Sequence, residues 1–147
     1  MTDKVSPGVR SLMMSAVRGR DTGPERAVRR ELFANGFRYR LHRRDLPGKP
    51  DIVLPAYHMA IFVHGCFWHG HTCSRGKRPS SNLEFWNRKL DGNRARDQLQ
   101  YDALIALGWQ VVVIWECDLQ PAVRALVEQL ETTRQALRRA FTKELTK

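Results

Sequence analysis

The stretch from Ile61 to Cys73 concentrates side chains that can bind metals or move protons. Its thirteen residues include three of the five histidines, two of the three cysteines and an adjacent Phe67-Trp68 pair. Thiolate and imidazole are ligands that suit zinc, and histidine titrates near neutral pH, as acid–base catalysis requires. The aromatic pair, which lies between two glycines, indicates an exposed stacking surface. The simplest alternative is a buried strand end with core aromatics.

All three cysteines fit one metal site. Cys66, Cys73 and Cys117, joined by one histidine, would complete a tetrahedral Cys3His zinc site that ties a loop to a strand end. The spacing differs from the common Cys-x2-Cys, and it does not decide between His69 and His71 as the fourth ligand. Three unrelated buried thiols are the alternative interpretation.

A carboxylate stands at the start of an apolar segment, where Asp51 follows Pro50 and precedes Ile-Val-Leu. A carboxylate that is buried without a partner is unfavourable. Asp51 therefore either caps the turn before it or binds a cation, and the pattern leaves both open.

Composition indicates the class of partner. The net charge of +10 and the pI near 10.3 predict an anionic polymer, because neutralising phosphates releases counterions. No apolar run approaches the roughly 18 residues of a membrane span, and the N-terminus lacks the apolar core of a signal peptide. An odd number of cysteines argues against a disulfide framework. We expect a cytoplasmic protein that binds nucleic acid.

Hydrophobic periodicity predicts the elements that position these residues. One helix starts at Thr22, with Glu25 completing a capping box, and runs to about Asn35 with Val28 and Leu32 buried. Strands are predicted at 37–41, 51–54, 59–63 and 109–115. Two further helices are predicted, the first over 82–107 and the second from Pro121 to about Arg138. This order predicts a mixed α/β sandwich in one catalytic domain over residues 21–147.

The helix over 82–107 has two further predicted features. Its sequence Asp91-Gly92-Asn93 predicts a kink or a break. Its second half predicts a buried stripe formed by Leu99, Ala103, Leu104 and Leu107.

The first 20 residues are predicted to form a basic, amphipathic arm. Met14 belongs to the apolar side, and Arg18 and Arg20 lie at the basic end. The segment either packs on the body as a helix or lies on a nucleic acid backbone, where we assign these three residues to DNA binding.

Four segments carry a family resemblance. Pro-Gly-Lys-Pro-Asp-Ile-Val (47–53), His-Gly-Cys-Phe-Trp-His-Gly-His-Thr-Cys (64–73), Phe-Trp-Asn-Arg-Lys (85–89) and Leu-Gly-Trp…Val-Ile-Trp-Glu-Cys (107–117) resemble the very short patch repair endonucleases. The likeness runs from about Arg10 to Leu119. It implies a restriction-endonuclease-like α/β core, with a central mixed sheet flanked by helices and a structural zinc site.

The resemblance also implies the reaction. Such enzymes nick DNA at T:G mismatches with Mg2+, on the 5′ side of the mispaired thymine, and so start the repair of deaminated 5-methylcytosine. We expect double-stranded DNA with such a mismatch as partner and a monomeric enzyme. Whether mismatch-repair proteins assist is left open.

Site residues follow from the resemblance. It implies that Asp51 binds Mg2+, that His69 is the general base with Asp97 as its partner, and that Glu25 and His64 lie beside the metal waters and the scissile phosphate. The implied zinc ligands are Cys66, His71, Cys73 and Cys117, and the implied wedge aromatics are Phe67, Trp68 and Trp86. Family members carry threonine where this chain has Val63, so the implied Mg2+ contact there is the backbone carbonyl. The alternative functions are a restriction-type endonuclease cutting matched DNA and a zinc-bearing DNA-binding module without catalysis.

Overall fold

In the computed structural model, the part of the chain that is described comprises residues 21–147, so the predictions for Met14, Arg18 and Arg20 lie outside it. A four-stranded sheet forms the centre of this part, and three helices pack against it. The strands are β1 (Arg40–Leu41), β2 (Ile52–Leu54), β3 (Met59–His64) and β4 (Gln110–Trp115). The helices are α1 (Gly23–Ala34), α2 (Leu83–Ala106) and α3 (Leu119–Leu145).

The sheet is mixed, with the order β1-β2-β3-β4. The first three strands pair antiparallel, whereas β3 and β4 pair parallel, with Val63 opposite Ile114 and His64 opposite Trp115. α2 is the crossover between the two parallel strands. Because β3 and β4 end at the same edge, the loops that follow them emerge side by side.

Alternating side chains divide the sheet between two cores. Ile52, Leu54, Ile61 and Ile114 face α1 and α3, where they pack with Val28, Leu32, Val123, Leu126 and Leu130. Val53, Ala60 and Phe62 face the other way and pack with Leu104 of α2. The predicted α/β sandwich, with a mixed sheet flanked by helices, is confirmed. None of the helices within 21–147 is long and apolar enough to cross a membrane.

The start of α1 differs slightly from the predicted capping box. Thr22 caps the helix as predicted, since its hydroxyl accepts from the Glu25 N–H at 3.3 Å. The Glu25 carboxylate, however, accepts from the N–H of Asp21 at 2.9 Å and not from that of Thr22. Because Asp21 has a left-handed φ of 54°, the chain turns there and presents its N–H to Glu25.

The predicted division of α2 into two helices is wrong, because one continuous helix runs through Asp91, Gly92 and Asn93. Asp and Asn weaken helices chiefly when their side chains compete for nearby backbone groups. Here Asp91 pairs with Arg78 at 2.6 Å, and the Asn93 amide donates to the Trp68 carbonyl at 2.9 Å. Both side chains are therefore occupied by tertiary contacts that do not disturb the helix.

The predicted buried stripe of α2 is also wrong in part. Leu104 is fully buried, but Leu99 and Leu107 are 71% and 59% exposed. The other buried position is Leu90. The helix contacts the sheet along one narrow line, because much of its inner face is polar and borders the cavity described below.

The bounds of β1 and α3 also differ from the predicted ones. β1 contains only Arg40–Leu41 of the predicted 37–41, because Phe37 is tied to the end of α1 by its N–H, which donates to the Leu32 carbonyl. α3 begins at Leu119, two residues before Pro121, and continues past Arg138 to Leu145.

The exposure of these leucines predicts unequal effects of truncation. Leu104→Ala should lower the free energy of unfolding by about 2–5 kcal/mol, because it opens a cavity in the core. Leu99→Ala, on the same helix, should change it by less than about 0.5 kcal/mol. Urea denaturation of both variants checks this, and equal losses would contradict the orientation of α2.

Candidate active site and metal centre

A cavity of about 800 Å³ opens at the edge where β3 and β4 end. Its wall is built from the start of α1, the turn before β2, the end of β3 with its loop, and one face of α2. The predicted catalytic residues all line it, namely Glu25, Asp51, Val63, His64, His69 and Asp97. The structure therefore brings together six positions that span 73 residues of sequence, from 25 to 97.

Asp51 is held at the start of β2, where the antiparallel partner β3 ends. Its carboxylate accepts from the Val63 N–H at 2.8 Å and forms no salt bridge with any of residues 21–147. Burial raises the pKa of Asp51 to about 6, against the effect of the Val63 hydrogen bond and with a further contribution from the Glu25 carboxylate. Two carboxylates facing one cavity favour a cation between them.

His64 ends β3 and is buried. Its Nε2 lies 2.6 Å from the Tyr101 hydroxyl. Burial and the neighbouring His69 lower the pKa of His64 to about 3, and burial together with nearby carboxylates raises the pKa of Tyr101. His64 is therefore neutral and accepts the Tyr101 proton at Nε2, which places its own proton on Nδ1.

His69 stacks on His64, with ring centroids 3.5 Å apart. Its Nδ1 lies 2.6 Å from the Asp97 carboxylate, and both side chains are partly buried. A carboxylate beside Nδ1 fixes the tautomer with the proton on Nδ1 and leaves Nε2 as an acceptor. This arrangement is that of an oriented base.

The buried Glu25 carboxylate also has neighbours outside the predicted site. His42 Nε2 lies 3.3 Å from Asp21 and 3.9 Å from Glu25, and Arg29 binds Asp21 at 2.9 Å. These contacts hold the first turn of α1 against the cavity.

The metal cluster forms where the loop after β3 meets the end of β4. One ligand atom each from Cys66, His71, Cys73 and Cys117 lies within 4.8 Å of the other three. Bonds of about 2.3 Å to sulfur in a tetrahedron place ligand atoms roughly 4 Å apart. Three thiols and one imidazole at this spacing fit a zinc ion. His69 lies outside this cluster.

Backbone contacts fix the path of this loop. The His71 N–H donates to the Cys66 carbonyl at 2.9 Å, and the His71 ring stacks on Trp115 at 4.2 Å. A Cβ at Gly76 would lie 1.9 Å from the His71 carbonyl oxygen, so only glycine fits there. The Glu116 carboxylate accepts from the Cys66 N–H at 3.2 Å.

The predicted wedge aromatics form a cluster at the mouth of the cavity. Phe67 contacts Trp68 and Trp86 edge-on, with centroids 5.1 and 5.4 Å apart. Phe67 and Trp68 line the cavity, all three rings are half-buried, and Phe85 beside Trp86 is 58% exposed. Trp86 therefore belongs with the loop and does not pack in either core.

The sequence of the chain is similar to that of known proteins. The sequence profile of the family described as DNA mismatch endonuclease Vsr matches residues 2–75. The chain is 54% identical over 119 residues to the type II nicking enzyme V.XorIIP of Xanthomonas oryzae, covering 81% of this chain and 88% of that protein.

The chain belongs to the Vsr family. It is also 39% identical over 135 residues to the DNA mismatch endonuclease Vsr of Escherichia coli, covering 89% of this chain and 86% of that protein. The type II nicking enzyme V.NmeAIP of Neisseria meningitidis is 44% identical over 120 residues, or 82% of this chain. The predicted family and the prediction of a DNA endonuclease are confirmed, which argues against a binding module without catalysis.

Sequence reasoning missed several residues that line the cavity of this Vsr-family protein. Four of them, together with Asp97, form one face of α2, at helical spacing: Lys89, Asn93, Arg96 and Gln100. Polar residues at i, i+4, i+7, i+8 and i+11 were a usable signal for this face. Lys49 and Glu116, which also line the cavity, carried no periodic signal, and neither did Tyr101, whose hydroxyl contacts His64.

Proposed function

We propose that this Vsr-family endonuclease nicks DNA at T:G mismatches in a Mg2+-dependent reaction, on the 5′ side of the mispaired thymine. The observation that carries the proposal is the single cavity in which Asp51, Glu25 and the His69–Asp97 pair face an aromatic cluster. The net charge of +10 fits a polyanionic substrate. One duplex strand would lie across the cavity.

The Asp51 carboxylate and the Val63 backbone carbonyl are the groups that would hold Mg2+. One carboxylate suffices, since this ion keeps several waters and takes phosphate oxygens as ligands. The bound ion would supply positive charge to the phosphate. The threonine hydroxyl found in other family members at position 63 is absent here, and a backbone carbonyl is unaffected by that difference.

His69 is the proposed general base. Its free Nε2 takes a proton from the attacking water while Asp97 stabilises the imidazolium, a contribution of typically about 10²–10⁴-fold. The water oxygen forms a bond to phosphorus, the bond from phosphorus to the leaving deoxyribose oxygen breaks, and that oxygen takes a proton from solvent water. The Nδ1–H of neutral His64 would donate a hydrogen bond to a phosphate oxygen, and Glu25 would orient water beside Asp51.

The aromatic cluster accounts for selectivity. A mispaired step stacks poorly, so the insertion of apolar side chains there costs less than at a matched step, where unstacking requires a few kcal/mol. Phe67 and Trp68 follow Cys66 directly and are supported by Trp86. Insertion of these rings would place the phosphate beside the mismatch over Asp51.

Zinc is proposed as the structural metal of the Cys66, His71, Cys73 and Cys117 cluster. Four ligands fill its tetrahedral shell, which leaves no open position for chemistry. The ion would fix the loop that carries Phe67, Trp68 and His69 to the end of β4.

A restriction-type enzyme that cuts both strands of matched DNA is the second candidate. The relatives named above are a mismatch endonuclease and nicking enzymes, which favours a single-strand cut. We expect a monomer, because one cavity cuts one strand.

Strand-specific nicking tests the proposal. End-labelled duplexes with one central T:G pair, in varied flanking sequence, should be cut only on the thymine strand and only with Mg2+. Asp51→Asn should reduce the rate about a thousandfold or more, because the charge that holds the cation is lost. Asp102→Asn, an exposed carboxylate of α2, is the matched control and should cut normally.

Cleavage of matched duplexes on both strands would favour the restriction alternative. Full activity of Asp51→Asn in Mg2+ would refute the metal assignment.

Metal content tests the zinc assignment. The purified protein should contain about one zinc per chain, and His71→Ala should lose it and unfold at a lower temperature. His58→Ala replaces a histidine outside the cluster, stacked on Trp109 at 4.1 Å, and should keep the metal. Elemental analysis of both variants measures their zinc content. Zinc retained by His71→Ala would rule out this ligand set.

Truncation of a wedge residue tests recognition. Trp68→Ala should reduce the preference for T:G over T:A duplexes about tenfold, in line with stacking energies of about 1–3 kcal/mol per base. Phe33→Ala, a 61% exposed aromatic outside the cavity, is the control. An unchanged preference in Trp68→Ala would contradict the insertion mechanism.

A further inference from the structure

Lys49 is a basic residue of the cavity wall that neither the metal centre nor the His69–Asp97 pair uses. It lies in the turn before β2, two residues from Asp51, and its side chain is exposed and lines the cavity. The side chain forms no salt bridge or hydrogen bond with any of residues 21–147. Its backbone N–H donates to the Leu46 carbonyl at 3.2 Å.

The backbone of Lys49 is in an unfavourable conformation, with a φ of 48°. The other non-glycine residues of 21–147 with left-handed φ are Asp21, His42, His58 and Asn82. Asp, Asn and His adopt this region more readily than other residues, whereas lysine is not among the favoured types. Pro50 follows Lys49 and restricts it further. Strain of this kind persists where the surrounding structure fixes it, and it concentrates at functional sites.

Packing of the preceding residue fixes this turn. Gly48 has a φ of 77°, and a Cβ on it would lie 3.0 Å from the Gln100 side chain and 3.1 Å from the Phe62 ring. The turn is thus pressed against α2 and β3. The left-handed backbone of Lys49 follows directly on this close contact.

The charged residues that line the cavity indicate a role for Lys49. Four carboxylates line it, from Glu25, Asp51, Asp97 and Glu116, and they would repel an incoming phosphate. The three basic groups that line it are those of Lys49, Lys89 and Arg96. Lys89 and Arg96 lie on α2, whereas Lys49 belongs to the segment that carries Asp51. Among these cations, Lys49 is joined most directly to the residue proposed to hold the metal.

We propose that the Lys49 ammonium contacts a non-bridging oxygen of the phosphate that is cut and stabilises the charge that builds up on it during water attack. The proposal rests on the nicking function described above. A fixed cation aimed at developing charge lowers the barrier without needing to reorganise. The left-handed backbone of Lys49 then lowers the local stability, and it accompanies the placement of this charge in the cavity.

Single-turnover nicking of a T:G duplex, with enzyme in excess, tests this role in four variants. Lys49→Gln removes the charge and keeps a polar side chain that is one atom shorter, and Lys49→Arg keeps the charge. Lys49→Gly removes the side chain and suits the left-handed backbone. Lys143→Gln, on the far part of α3, is the control for loss of one positive charge.

Lys49→Gln should lower the rate at saturating enzyme about 10- to 100-fold, with a much smaller change in the enzyme concentration that gives half-maximal rate. Lys49→Arg should restore most of the rate, and Lys143→Gln should match the unaltered protein. Lys49→Gly should be as slow as Lys49→Gln, yet unfold at a higher temperature than the unaltered protein, because glycine relieves the strain.

Each contrary result has a distinct meaning. Equal maximal rates for Lys49→Gln and Lys143→Gln would overturn the role of Lys49, as would a loss confined to DNA affinity. A Lys49→Gly protein that unfolds at a lower temperature would overturn the argument from backbone strain. Absence of mismatch-dependent nicking by the unaltered protein would instead overturn the proposed function.

Discussion

The parallel register of β3 against β4 determines most of the distances in the cavity. Val63 lies opposite Ile114 and His64 opposite Trp115, so both strands end together. The loop that follows β3 can therefore bring its thiols and His71 to Cys117, two residues past the end of β4. A slip of one residue would turn His64 towards the α1 face of the sheet, since side chains alternate along a strand. The two cores, which accept only their own alternating residues, protect the register against such a slip.

Backbone donors hold three of the four cavity carboxylates. Asp51 accepts from the Val63 N–H, Glu25 from the Asp21 N–H and Glu116 from the Cys66 N–H. Such bonds orient a carboxylate but do not neutralise it, so negative charge remains directed at the cavity. This is a suitable environment for a divalent cation and an unsuitable one for a phosphate without that cation. The way in which the carboxylates are held, as well as their residue types, therefore supports the proposed dependence on a metal.

Much of the fold could be predicted from the sequence, because its strands are apolar runs and two of its helices have clear buried stripes. The continuity of α2 could not be predicted, because it depends on contacts of the Asp91 and Asn93 side chains with Arg78 and Trp68, which belong to an earlier part of the chain. Spacing alone could not decide which of His69 and His71 belongs to the thiol cluster, because only Gly70 separates them. That choice depends on a left-handed turn at Gly70 and on the stacking of His71 on Trp115. The family resemblance supplied what spacing left open, and in the structure the histidine that lies beside the three thiols is His71.

One loop carries three proposed tasks, and its construction makes them inseparable. Phe67 and Trp68 follow the proposed ligand Cys66, and His69 precedes the proposed ligand His71 by two residues. Between Cys66 and Gly76 the loop has few apolar residues beyond these aromatics, so its shape depends on the thiol–imidazole cluster and on the close contact of Gly76 with the His71 carbonyl. A movement that withdrew the aromatic rings from DNA would also move the His69 ring from Asp97 and from the stack with His64. Recognition and proton transfer would therefore be gained or lost together, which suits the proposed mismatch-dependent cleavage.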